Sequence, residues 1–286
     1  LVRSRGLGDV YKRQGSNTSG FQRTTLVATA GVLETDGGPV GIDVLCLEED
    51  SARKLTSELT PNGEVVTWNL DRLGIPLIEI ATAPDIKTPD HAKQTSIALG
   101  RTLRDTRRVR RGLGSIRQDL NVSIMCGDRV EIKGCQDLEW IPKIIRCEMA
   151  RQLHFYRLAN QLRASHDLPT LSNDRRVESP SVQDEVANIL QLNLVDVSSQ
   201  YVDCESKRVK EGLENKSVML ALPLPGFSGF IGTKEFDSDG AQLPRLGREL
   251  AGAAKLAGVA GVYHSDELPA YGIEQDFVDA TREALN

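Results

Sequence analysis

Cysteine and histidine are scarce and scattered in this chain. The five cysteines, Cys46, Cys126, Cys135, Cys147 and Cys204, are odd in number and include no Cys-x-x-Cys pair, and there are only four histidines. That excludes a disulfide framework and the ligand spacing of a zinc site. It fits a reduced cytosol, so a cytoplasmic location is expected. No apolar run approaches the ~18 residues of a membrane span, so no membrane partner is expected. The chain has no G-x-x-x-x-G-K-[ST] phosphate loop and no H-E-x-x-H metal motif. The tract "GLGSIR" at 112–117 lacks the third glycine of a dinucleotide fingerprint and precedes a strand instead of opening a helix. Four scattered histidines give no ground for a Ser-His-Asp triad. The net charge of −5 leaves no global attraction to nucleic acid, so any RNA contact must come from a local basic patch.

What is present is an ordinary globular composition, 26% charged and 40% hydrophobic over 286 residues, enough for about two domains. Residues 1–14, "LVRSRGLGDVYKRQ", show no helical or strand period and do not flow into the segment after them. They resemble adaptor-derived sequence, with a basic tail or surface hairpin as the alternative, and are set aside from fold reasoning. The other end stops inside a helical pattern, "EQDFVDATREALN", so an internal fragment is expected. "TTLVATAGVLET" and "VGIDVLCLEED" read as strands separated by the turn Asp36-Gly37-Gly38-Pro39, and "GEVVTWNL" and "IPLIEIAT" as further strands. A helix is expected from Thr88 as N-cap, with Pro89 at its first position and Asp90 in its first turn, running to about Thr106. A second, long helix is expected from about Pro142 to Ser165, with Ile141, Ile145, Met149 and Gln152 or Leu153 on one face. A linker and a short helix, "VQDEVANILQL", lead to a boundary near Val195. Beyond it "KSVMLALPL", "RLGRELAGAAKLAG" and "VAGVYHSDELPAYGI" read as alternating strand and helix.

The segment "VRRGLGSIRQDLNVSI" (109–124) alternates sharply. At a period of two, Ser115, Arg117, Asp119, Asn121 and Ser123 share one face, and Ile116, Gln118, Leu120, Val122 and Ile124 share the other. "RVEIKG" repeats the pattern, with Arg129, Glu131 and Lys133 opposite Val130 and Ile132. If the two form a hairpin, the polar faces must coincide. A two-residue loop would mix them; a three-residue loop, Met125-Cys126-Gly127, places Asn121 opposite Glu131 and Asp119 opposite Lys133. That loop class asks for a left-handed residue at its last position, where Gly127 stands. The polar row then gathers Arg117, Asp119, Asn121, Glu131 and Lys133. Such a row can be a water-facing sheet surface laced with cross-strand ion pairs. Two further acidic tracts point instead to chemistry. Glu48, Glu49 and Asp50 follow a β-run directly, and Glu79 lies inside an apolar strand, where a carboxylate is costly unless paired or metal-bound. Carboxylates beside Arg and Lys suit a Mg-phosphate site, because Mg²⁺ takes oxygen ligands and the cations neutralise a transferring phosphoryl group. The run "RTLRDTRRVRR" (101–111) carries six Arg and one Asp. Arg101, Arg104, Arg107 or Arg108, and Arg111 would line one stripe if helical, either as a solvated face or as a phosphate contact with RNA.

Read in order, "LDRLGIPLIEIATAPDI", "GLGSIRQDLNVSI" and "RVEIKGCQDLEWIP" resemble the B/E-type subunits of tRNA-dependent amidotransferases. "GSNTSGFQRTTLVAT" and "LCLEEDSARK" fit the same family. "RLGRELAGAAK" and "GVYHSDELPAYGI" resemble the GAD domain shared by its archaeal E type and bacterial-type aspartyl-tRNA synthetases; with "SGFQRT", they favour the E type over the bacterial B type. The resemblance implies an α+β fold. A glutamine synthetase/guanido kinase-like cradle, N-terminally truncated, would span 15–166. A linker and short helix would span 167–194, and a truncated α/β GAD-like domain 195–286. It implies ATP-dependent phosphorylation of the glutamate of Glu-tRNA(Gln) and its amidation with ammonia from an asparaginase-like amidotransferase partner of the D type. ATP and Mg²⁺ would be the cofactors and tRNA(Gln) the nucleic-acid partner. On this resemblance Glu48, Glu49, Glu79 and Asp119 are the expected metal contacts. Arg72, Arg117 and Lys133 are expected on phosphate, and Glu49, Glu79, Asp119 and Arg117 form the expected catalytic set. The family's N-terminal Glu and His, and its helical and tail regions, find no counterpart here, so the fragment itself is expected to be inactive. Two rivals remain. An aspartyl-type synthetase would carry the class II motifs, which are not found. A non-catalytic tRNA-binding module would have its acidic positions apart, so whether they converge discriminates it.

Overall fold

The computed structural model describes residues 24–173, 184, 188 and 193–285. The expectations for residues 1–14 lie outside the described residues, as does the helix at 182–192 except for Asp184 and Asn188, which are helical. Helix and sheet are mixed along the chain, as an α+β protein requires. Two compact units are present. The first takes the described residues up to Gln118 together with Cys135–Lys143; the second takes Asp119–Gly134 and the described residues from Ile144 onward. This division differs from the expected one, which put its boundary near Val195.

The first unit is built on an antiparallel sheet in the order β1 (Thr24–Leu33), β2 (Val40–Glu49), β5 (Pro76–Thr82). β2 is central, paired on one edge with β1 and on the other with β5, and its Val40 and Cys46 are buried. β3 (Arg53–Thr60) and β4 (Gly63–Asn69) form a separate two-stranded ribbon. Helix α1 (Pro89–Asp105) starts as expected: the Thr88 hydroxyl accepts the N–H of His91, and Pro89 needs no partner for its missing donor. Its inner face carries His91, Ala92 and Thr95, all buried, with the Thr95 hydroxyl donating to the His91 carbonyl. His91 Nε2 lies 2.9 Å from the Thr35 hydroxyl, which ties the helix start to the β1–β2 turn.

The second unit opens with the hairpin β6 (Leu120–Val122) and β7 (Val130–Ile132). The register pairs Asn121 with Glu131, as face matching required, but the ladder ends at Val122 and Val130, so the connection is 123–129 with the expected loop 125–127 at its tip. Two expectations are corrected. The strand does not extend over 115–124, because Gly112 and Gly114 turn the chain with positive φ and 115–119 stay irregular. Gly127 does not adopt positive φ; its missing side chain serves a close approach instead. A Cβ there would fall 2.0 Å from Gln152 Oε1. Gln152 lies on helix α2 (Ile141–Ala164), and its amide bridges the hairpin: Oε1 accepts from Ile124 N at 3.2 Å, and Nε2 donates to the Val122 carbonyl at 3.1 Å. The buried Glu148 accepts from Gln152 Nε2 (2.8 Å) and from Arg151 Nε (2.8 Å) and Nη2 (3.0 Å).

Residues from Val195 on gather around their own apolar core of Val197, Tyr201, Cys204, Val209 and Ile273. The elements are β8 (Val195–Asp196), α3 (Lys207–Glu214), β9 (Leu220–Ala221), α4 (Leu246–Leu256) and α5 (Gln275–Ala284). The expected strand at 259–264 is absent: that segment is irregular, and α3 supplies a further helix that the alternating pattern does not reveal. The loop 226–232 is held by Asp266, whose carboxylate accepts the N–H groups of Gly229, Ile231 and Gly232 at 2.9, 2.9 and 3.0 Å. All five cysteines are free. Among the described residues no helix is long and apolar enough to cross a membrane.

Candidate functional site

The β2–β5 register decides which acids meet. Cys46 pairs with Glu79 and Glu48 with Leu77, so Glu48 and Glu79 lie diagonally on one face of the sheet. Glu49 pairs with Pro76 and, at a period of two, belongs to the opposite face. The expectation that Glu49 and Glu79 point together is therefore corrected: Glu48 is the partner of Glu79. The Glu48 carboxyl is pushed above its ordinary range, first by burial, then by the negative charges of Glu79 and Asp50, against a smaller opposing pull from Arg117. These four groups share one electrostatic neighbourhood. A second correction concerns Glu79 itself. It is exposed, as is its neighbour Ile78, so its charge is not buried in the apolar strand.

The buried acid is Asp50, just past the end of β2, at 8% exposure. Its backbone N–H donates to the Ile75 carbonyl at 2.8 Å, and its carbonyl accepts from Gly74 at 3.0 Å. The turn at 71–74, closed by Leu73 N to Leu70 O and by Gly74 with φ +80°, is thereby stitched to the strand end. That turn carries Arg72. Arg72 Nε and Arg117 Nη2 each lie 3.9 Å from Asp50 Oδ2. At 3.9 Å these are charge contacts, beyond hydrogen-bond length. Arg72 Nε is buried with no hydrogen-bond partner among the described residues. Two guanidiniums thus face one carboxylate without a hydrogen bond to it, an arrangement suited to the oxygens of a phosphate. Sequence reasoning groups Asp50 with two other consecutive acids and gives it no role of its own; the strand end, which sets it apart from Glu48 and Glu49, is visible only in the fold.

The remaining expected site residues lie on the hairpin of the second unit. Lys133 Nζ donates to Asp119 Oδ2 (3.1 Å) and Glu131 Oε1 (2.8 Å), as the cross-strand pattern required. These two acids raise the Lys133 pKa. Gln118, the one polar residue of the apolar row, donates from its amide to the Cys135 carbonyl within the first unit. The basic run does not form one helical stripe. α1 ends at Asp105, and Arg107 takes φ +56°, so Arg107, Arg108, Arg110 and Arg111 belong to the loop beyond it.

Among the described residues no three His, Cys, Asp or Glu side chains group closely enough to cage a metal by themselves. Mg²⁺ bound with a nucleotide asks for less, one or two carboxylates with phosphate oxygens and water completing the shell. Glu48 and Glu79 offer two hard oxygen donors on one face, and the part of the Glu48 pKa rise that comes from Glu79 and Asp50 is repulsion that a cation there would relieve.

A family model described as the GatB/GatE catalytic domain matches residues 11–241. Three curated relatives are named as the E subunit of glutamyl-tRNA(Gln) amidotransferase. The one from Methanocaldococcus jannaschii is 44% identical over 95% of this chain and 39% of its own length. The one from Sulfurisphaera tokodaii is 42% identical over 95% and 39%, and the one from Pyrococcus furiosus is 42% identical over 100% and 42%. The chain therefore spans about two fifths of the length of these relatives.

Proposed function

The chain belongs to the GatB/GatE catalytic-domain family, and from that premise we propose that it is the ATP-using part of a tRNA-dependent amidotransferase subunit of the E type, acting on Glu-tRNA(Gln). The observation that carries the reading is the meeting of Glu48 and Glu79 on one sheet face with Asp50, Arg72 and Arg117. In the proposed reaction a side-chain carboxylate oxygen of the tRNA-bound glutamate attacks the γ-phosphorus of ATP, and the bond to ADP breaks. Ammonia from an asparaginase-like partner of the D type then attacks the acyl carbon, phosphate leaves, and a proton is lost from nitrogen to give Gln-tRNA(Gln).

In this chemistry little covalent work falls to the protein, and positioning and charge stabilisation dominate. Arg72 and Arg117 offer donors to the transferring phosphoryl oxygens, while Asp50 faces both guanidiniums. Glu48 and Glu79 would hold Mg²⁺, which supplies charge neutralisation of the ATP tail. On the hairpin, Lys133 remains a proposed phosphate contact and Asp119 the carboxylate that orients it. The cradle description of the amidotransferase region, the GAD-like description of 195–286 and the cytoplasmic setting belong to the same proposal. The bacterial B-type specificity, for Asp-tRNA as well as Glu-tRNA, is the nearest alternative; the GAD-like motifs favour the E type.

The test is Glu48→Gln and Glu79→Gln in the full chain, assayed with the ammonia-supplying partner. Each should cut Gln-tRNA formation by about 10²-fold or more and weaken Mg-ATP binding, while leaving tRNA binding near the parent value. Unchanged amidation in both variants would reduce the chain to a binding scaffold.

A further inference from the structure

The six arginines at 101–111 are all exposed, and among the described residues none of them forms an ion pair. Arg101 and Arg104 lie one turn apart at the end of α1. The helix is then closed tightly. The Thr106 hydroxyl donates to the Leu103 carbonyl, Arg107 N donates to the Arg104 carbonyl, and Arg108 N donates to Thr106 Oγ1. Arg107 makes the sharp exit with φ +56°, a conformation that a branched or bulky side chain adopts rarely. The consequence is spatial: instead of a stripe along one helix, four arginines are carried on a loop beside two more on the helix end.

A helix C-terminus favours one or two cations through its dipole, and that accounts for Arg101 and Arg104. It does not account for four further arginines beyond the helix in a chain whose net charge is −5, since such a cluster repels itself. The cost is offset when the cluster meets a dense array of negative charge. Guanidiniums match phosphate in planar, two-donor geometry. Resting on the proposed function, we infer that residues 101–111 form a phosphate-backbone contact for the tRNA substrate, with Arg107, Arg108, Arg110 and Arg111 as its main donors. The contact positions the RNA and carries no base readout.

The experiment is tRNA(Gln) filter binding by the full chain over a range of salt. The parent is compared with a variant carrying Arg107, Arg108, Arg110 and Arg111 each replaced by Gln, and with a second carrying Lys at the same four positions. The inference predicts that the Gln variant loses at least about tenfold in affinity and that its log–log salt slope shrinks by about 3. The Lys variant should keep the parent slope, because it keeps the charge. Parent-like affinity and slope in the Gln variant overturn the inference, and so does a Lys variant that loses slope as far as the Gln variant, which would place the cost in the fold. If tRNA binding is untouched but the Gln variant no longer co-purifies with the asparaginase-like partner, the surface is a protein interface and the inference fails. A parent chain that does not bind the transcript overturns this inference and the proposed function together; arginine variants that behave like a binding parent overturn this inference alone.

Discussion

Gly127→Ala is the sharpest probe of how the hairpin is held. The backbone at Gly127 suits any residue, since its φ is not positive, so the added methyl carries no conformational penalty of its own. Its cost comes from one neighbour. The methyl would fall 2.0 Å from Gln152 Oε1, 2.9 Å from Cδ and 3.0 Å from Cβ, and Gln152 is only 6% exposed. Because the clash reaches back to Cβ, the Gln152 side chain must leave its place. It then loses the bonds to Ile124 N, to the Val122 carbonyl and to Glu148. Two neutral bonds at ~1 kcal/mol each, with a further bond to a carboxylate, give a loss of ~2–4 kcal/mol. In a domain of this size that lowers Tm by roughly 5–10 °C. The assay is a double-mutant cycle by thermal or urea unfolding with Gly127→Ala, Gln152→Ala and the pair. Strong coupling is expected: truncating Gln152 to Ala removes the contacts at 2.0 and 2.9 Å and leaves only its Cβ at 3.0 Å, so Gly127→Ala costs well under half as much in that background as in the parent. Additive losses would refute it.

Other expectations follow from the same geometry. Glu148 is pushed up by burial but held below its ordinary 4.5 overall by Arg151 and Gln152. Its depressed pKa means that its contribution is complete above about pH 4.5 and is lost as pH falls through the folded-state value. Thermal melts from pH 7 to pH 3 should therefore show a steeper acid loss in the parent than in Glu148→Gln; parallel curves would contradict the assignment. Asp266 is held below its ordinary pKa because three backbone N–H bonds and His264 together outweigh the effect of burial. Asp266→Ala should cost ~1–3 kcal/mol and speed amide exchange at Gly229, Ile231 and Gly232, whereas unchanged exchange at those three amides would show that the loop is held by other contacts.

Much of this architecture is legible in the sequence where local chemistry and pattern agree. Thr88-Pro89-Asp90 marks a helix start because capping is a property of neighbouring residues. The hairpin register follows from face matching alone, down to the pairing of Asp119 with Lys133. The failures have physical causes as well. Local pattern assigns Gly127 a turn conformation, whereas its role is to admit the distant Gln152 side chain, which no local pattern records. Apolar neighbours make Glu79 read as buried, but β5 is an edge strand and leaves Ile78 and Glu79 exposed. Among Glu48, Glu49 and Asp50, the separation into one sheet face, the other face and the strand end depends on the β2–β5 register, a long-range quantity. Asp50 gains its importance only when the turn at 71–74 delivers Arg72 to it.

The central claim is that ATP activates the glutamyl carboxylate by phosphorylation, and an oxygen label tests it most directly. Glu-tRNA(Gln) carrying ¹⁸O in both side-chain carboxylate oxygens is incubated with the full chain, the proposed ammonia-supplying partner and Mg-ATP, and the released phosphate is analysed by mass. Transfer through an acyl phosphate moves one labelled oxygen into each phosphate formed, and Glu48→Gln and Glu79→Gln should suppress that labelled product in step with amidation. Amidation that proceeds at the parent rate with unlabelled phosphate would contradict the account.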